Sequence, residues 1–186
     1  MFRIICAALL AAGFASQGSA GPAQTPVAAA DVVPAVWQQH KITISYFGIT
    51  SAYACDALET RVRSILLHLG ARKDARVDAS CPRGPEEPSH NAWITSDFYT
   101  LAPAQSASSP GIVKAHWTPR EVTPHQPFFM GDGDCELIDQ MRDLISKNFS
   151  LRDIQYRTDC VPNEITVNGF AIKGQALLLV DHPAPG

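Results

Sequence analysis

Apolar and polar residues alternate over 41–48. Ile42, Ile44 and Tyr46 fall on one side and Thr43, Ser45 and Phe47 on the other, which predicts a strand. Over 55–69 the period lengthens: Leu58, Val62, Ile65, Leu66 and Leu69 recur at helical spacing, with Glu59, Arg61 and Arg63 filling much of the remainder. Gly70 is placed to stop that helix. Alternation returns over 76–81, with Val77, Ala79 and Cys81 on one face, and a further strand is expected over 93–101.

The second half follows a similar plan. Residues 112–122 begin as a strand that Pro119 is expected to limit. A second helix is predicted over 135–149, with Ile138, Met141, Leu144, Ile145 and Phe149 on its apolar side and Asp134 as its cap. Residues 154–160 alternate again, with Ile154, Tyr156, Thr158 and Cys160 inward. Asn168-Gly169 marks a hairpin within 165–172, and 176–180 is a buried apolar run. Proline-rich stretches at 82–90, 102–111 and 119–133 read as loops. Aligned on the cysteines, Leu58/Ile138, Ile65/Ile145 and Leu69/Phe149 match, whereas Val62 faces Arg142 and Arg61 faces Met141. The expected class is α+β: a two-layer α/β sandwich of two βαβ-type units with extra strands, ferredoxin-like or related.

Charge and composition narrow the setting. Lys+Arg 15 against Asp+Glu 18 gives a formal charge of −3 over 186 residues, which removes the electrostatic case for nucleic acid. Residues 1–20 read as a signal peptide: Arg3, then an apolar run, then Gly18-Ser19-Ala20 as a small-residue cleavage site. That run falls short of the ~20 residues needed to span a bilayer, and no membrane span is expected after cleavage. Residues 21–36 read as a flexible leader, small and proline-containing, and 37–182 as a single domain with sub-units 37–101 and 111–182. Export to the periplasm or the exterior follows from the signal.

Signal cleavage removes Cys6 and leaves Cys55, Cys81, Cys135 and Cys160, a set suited to disulfides in an oxidising compartment. In each half one cysteine opens a helix and the other closes the next strand. A 15-residue helix covers about 22 Å and a seven-residue strand about 23 Å, so the chain returns level with its start. The expected pairs are Cys55–Cys81 and Cys135–Cys160, although four cysteines permit three pairings. The segments 53–59, 69–74, 133–137 and 158–162, centred on or near these cysteines, resemble a group of uncharacterised exported bacterial proteins across about residues 37–165. That resemblance implies export and architecture, and no activity.

Chemistry is sparsely marked. No nucleophile elbow, His-Glu-x-x-His, Cys-x-x-Cys or phosphate-binding glycine loop occurs. Asp132, Asp134 and Glu136 gather carboxylates before a helix, where calcium binding competes with capping. Counted from Asp132, the EF-hand glycine position holds Leu137 and the final ligand position Asp143, which favours capping. His116 and His125 flank a proline-rich loop and His90 ends another, weak candidates for a metal site or an acid–base pair. Phe128, Phe129 and Met130 form an apolar run within a loop, suited to plugging the core or meeting a partner. Trp37, Trp93, Trp117, Tyr53 and Tyr99 would line a glycan- or peptide-binding face, or fill buried strand positions. Arg61, Arg63, Arg72, Lys73 and Arg76 interleave with Asp56, Glu59, Asp74 and Asp78 and read as a solvated face.

The resulting expectation is a non-enzymatic exported binding module without a cofactor, its partner unidentified: another envelope protein or a cell-wall component. The alternative is a small hydrolase or metal-dependent enzyme using the loop histidines and the acidic cluster at 132–136. A third reading has the chain present a sheet edge to another chain.

Overall fold

A computed structural model describes residues 32–106, 110–127, 134–161 and 169–180. Its elements run β1 (Val32–Phe47), α1 (Cys55–His68), β2 (Arg76–Ser80), β3 (Asn91–Pro103), β4 (Val113–Val122), α2 (Asp134–Asn148), β5 (Leu151–Thr158) and β6 (Phe170–Leu179). The strands form one six-stranded sheet, order β2-β3-β1-β4-β6-β5, with every neighbouring pair antiparallel.

This architecture corrects the expected two-layer α/β sandwich of βαβ-type units, ferredoxin-like or related. The protein is mostly antiparallel sheet with two short helices, not a balanced α+β sandwich. The reason lies in which strand wins the place beside β1. β3 buries Ala92, Ile94, Ser96 and Phe98 on alternate positions and pairs with β1 from Ala35↔Pro103 to Phe47↔Asn91. β2 has five residues with exposed Arg76 and Asp78, a composition suited to a sheet edge. β3 therefore inserts between β1 and β2. In the second half β6, with Phe170, Ile172 and Leu178 buried, likewise separates β4 from the largely exposed β5.

Three boundaries also differ from expectation. β1 begins at Val32, so residues 32–36 of the expected leader join the sheet, where Val32 to Ala35 pair with His116 to Val113. Pro119 does not end β4. The Lys114 carbonyl accepts from Val180, beside β6, while the Glu121 carbonyl meets a helix residue on the opposite edge. Strand alternation then aims the nitrogen of Pro119 away from β6, where no ladder bond is lost. In β5 the register shifts between Arg152 and Gln155, with Asp153 at φ 55°, and Ile154 is 45% exposed instead of inward.

Both helices cover one face of the sheet, over a single core that runs from Tyr46, Leu58 and Ile65 through Phe98 to Ile138, Met141 and Ile145. Each helix also reaches across to the other half. Phe149, just past α2, stacks on Phe98 of β3 with ring centroids 5.7 Å apart. Thr100 Oγ1 donates to the Asn148 carbonyl at 2.7 Å. Gln140 of α2 accepts from the Phe47 amide at 2.8 Å and donates to its carbonyl at 2.7 Å, standing in for a neighbouring strand. At the end of α1, Gly70 adopts φ +103°, and a Cβ there would meet Leu178 Cδ2 at 2.3 Å.

Two histidines reach into this core side, where burial disfavours their charged form. His68 Nε2 donates to the Glu121 carbonyl at 2.8 Å, and burial lowers its pKa although that bond opposes the shift. His40 lies 2.9 Å from Thr100 Oγ1, its pKa likewise lowered by burial against an opposing bond to Asn148. Below the ordinary histidine value of about 6.5 the unfolded chain therefore binds more protons than the folded one. Stability should be full above that pH and fall as the pH drops through the window beneath it. Urea midpoints between pH 7 and pH 5 should decline, and His40→Gln with His68→Gln should flatten the decline. An unchanged slope in the double variant would refute the assignment.

Candidate functional site

The four cysteines among the described residues stand in two disulfide pairs, Cys55–Cys81 and Cys135–Cys160, with Cα–Cα distances of 6.0 and 5.8 Å. Each ties the first turn of a helix to the end of the next strand.

Two carboxylates of the acidic cluster are engaged within the fold. Asp134 is 1% exposed; it accepts a short hydrogen bond from the Tyr53 hydroxyl and pairs with Arg61 Nη1 at 2.6 Å. Burial, then the neighbouring Asp134 charge, holds the Tyr53 phenol far above its ordinary pKa, so it stays a donor. Glu136 accepts from the backbone amides of Ile49, Thr50 and Ser51 at 3.0–3.3 Å and so fixes the β1–α1 loop. Asp132 lies outside the described residues. His116 is half-buried in β4, and His125 sits in the turn after it, its amide donating to Thr123 Oγ1 at 3.3 Å. Among the described residues no group of three or more His, Cys, Asp or Glu side chains is arranged to hold a metal ion. Phe128, Phe129 and Met130 also lie outside the described residues.

The aromatic set divides between the two sides of the sheet. Tyr53 is buried on the helix side, its ring 5.4 Å from that of Tyr46. Trp37 and Trp117 project from the opposite face and pack on a second apolar cluster of Ala35, Leu101, Ala115 and Leu177. Tyr99 and the 56%-exposed Trp93 share that face, because they occupy the same alternate positions of β3 as Leu101.

An arginine lies over each of the two tryptophans. The Arg72 guanidinium is 3.7 Å from the Tyr99 ring centre and 5.7 Å from that of Trp37. It is held there by Asp74 through two bonds of 2.8 and 2.6 Å, which raise the Arg72 pKa and lower that of Asp74. Arg152 lies 4.4 Å from the Trp117 ring centre, with Nε donating to Gln175 Oε1 at 2.9 Å. Gln175 in turn donates to Asp153 at 3.3 Å. Each assembly is a flat cation stacked on an aromatic ring, with its orientation fixed by a polar neighbour.

Sequence reasoning singled out the tryptophans and missed their partners. A signal was present. Val33, Ala35 and Trp37 recur as Val113, Ala115 and Trp117 at an offset of 80 residues, which also separates Cys55 from Cys135 and Arg72 from Arg152. Val33 and Ala35 of the first copy fall in the stretch read as leader, Trp37 at the expected start of the domain, and Arg72 in a stretch read as a solvated face. In the fold the repeat places Val33↔Ala115 and Ala35↔Val113 side by side at the junction of the halves. The face thus carries an arginine beside a tryptophan in each half, Arg72 resting mainly on Tyr99 and Arg152 on Trp117 itself.

Compared with known protein families, curated proteins and solved structures, the chain matches none.

Proposed function

We propose that the protein is an exported, disulfide-stabilised binding module with no enzymatic step, which engages another envelope component through the sheet face bearing Trp37 and Trp117. The observation that carries this reading is the pair of arginine–aromatic contacts, Arg72 over Tyr99 and Trp37 and Arg152 over Trp117. Large, stiff aromatic groups flanked by fixed guanidinium groups offer contact area and directional donors at little cost in side-chain ordering, the combination that dominates binding hot spots. Two disulfide pairs are compatible with a stabilised module outside the cytosol. Among the described residues no helix is long and apolar enough to cross a membrane. The enzyme alternative finds little support where Asp134 and Glu136 are already committed to hydrogen bonds within the fold.

The test uses the oxidised protein, immobilised and exposed to an envelope fraction. The wild type should retain a component that the Trp37→Ala/Trp117→Ala double variant does not. Arg72→Gln/Arg152→Gln, which spares the apolar cluster, should weaken retention while leaving the melting temperature nearly unchanged. Equal retention by wild type and both double variants would refute the proposed face.

A further inference from the structure

We propose that the cleft beside Trp37 binds a small amphiphilic anion, an unbranched carboxylate of medium chain length. This inference goes beyond a macromolecular partner for the wider face. Trp37, Leu178, Leu179 and loop 70–74 line this half-open cleft, whose cavity measures about 340 Å³. That volume lies at the small end of the ~300–1,000 Å³ typical of ligand sites. A site of that size suits an unbranched chain of medium length better than a bulky ligand.

Three observations define the ligand class. First, the walls are mainly apolar: Leu178, Leu179, the Trp37 ring and the buried Ala71. Second, Arg72 and Asp74 neutralise each other through their paired bonds, so the one charged pair in the wall attracts neither sign strongly. Third, Lys73 stands between them, exposed and without a carboxylate partner among the described residues. An exposed lysine without a carboxylate partner, in the wall of an apolar cleft, fits a ligand with an apolar tail and one negative head.

The internal repeat also shows how the space arises. Where the second half carries Ser150 and Leu151, the first carries Gly70 and Ala71, removing side-chain volume from this wall. Gly70, at φ +103°, lets the loop close directly on Leu178.

The test titrates the isotope-labelled, oxidised protein with decanoate and with decanol, following amide shifts by NMR. Decanoate should produce saturable shifts at Ala71, Leu178 and Leu179, and each methylene removed from the chain should weaken it about fourfold. Lys73→Gln should weaken decanoate about fivefold and leave decanol unchanged. Ala71→Leu, which installs the residue of the second half, should abolish both. Should that variant fail to fold, Lys73→Gln and the chain-length series decide the matter. Absence of saturable shifts at the cleft, or equal effects of Lys73→Gln on acid and alcohol, would overturn the proposal. Retention of an envelope component by the Trp37/Trp117 face is a separate readout, so either idea can fail alone.

Discussion

Replacing Asp134 with alanine should destabilise the protein by about 3–5 kcal/mol, the cost of breaking a buried ion pair from one side. The carboxylate is 1% exposed and Arg61 is 28% exposed, so the arginine can turn partly to water and the lower end of that range is expected. The Tyr53 hydroxyl has no such escape, because Tyr53 is buried against Tyr46. Asp134→Asn keeps an acceptor for Tyr53 while removing the charge, and should fall between alanine and wild type. Asp56→Ala is the control: the Asp56 carboxylate is exposed and among the described residues meets only the next residue's amide, so the effect should stay within about 0.5 kcal/mol. Urea unfolding measures all three. A loss below about 1 kcal/mol for Asp134→Ala would refute the structural role assigned to this carboxylate. Calcium or a chelator should leave the wild-type midpoint unchanged, since Asp134 and Glu136 already have partners within the chain.

The acidic cluster illustrates what the sequence does and does not disclose. Carboxylates at a helix start were legible as capping groups, but their partners were not. Tyr53 is 81 positions away from Asp134, and the amides that Glu136 collects belong to a loop in the other half. Local periodicity located both helices because each buries one stripe: Leu58, Val62 and Ile65 in α1, and Ile138, Met141 and Ile145 in α2. Periodicity cannot rank strands for the centre of a sheet. That ranking depends on length and on what each strand buries, which is why β3 and β6 displaced the strands expected beside β1 and β4. The leader was misjudged for a related reason. Val33, Ala35 and Trp37 are too few to register as a strand until Val113, Ala115 and Trp117 are seen as their copy. Arg72 and Arg152 stayed hidden because a stacking arginine carries no local pattern, and only the offset of 80 residues connects them.

Removing either disulfide should destabilise the whole protein, not its own half. The bridges close loops of similar length, with sequence separations of 26 and 25, so chain entropy assigns each about 3.5 kcal/mol. Were the halves independent, Cys55→Ser/Cys81→Ser would melt residues before the β3–β4 connection and spare those after it. Their packing argues otherwise. α2 supplies Gln140 to the backbone of Phe47 and its last carbonyl to Thr100, while His68 of α1 bonds to β4. Phe98 and Phe149 stack within a core that includes both helices. Unfolding one half would strip apolar cover and hydrogen bonds from the other, so the two should unfold together. Each double variant should therefore show one transition, with the same midpoint by tryptophan fluorescence and by far-ultraviolet circular dichroism, displaced from wild type by the cost of the missing bridge. Two separated transitions in either variant would mean that the shared core does not couple the halves.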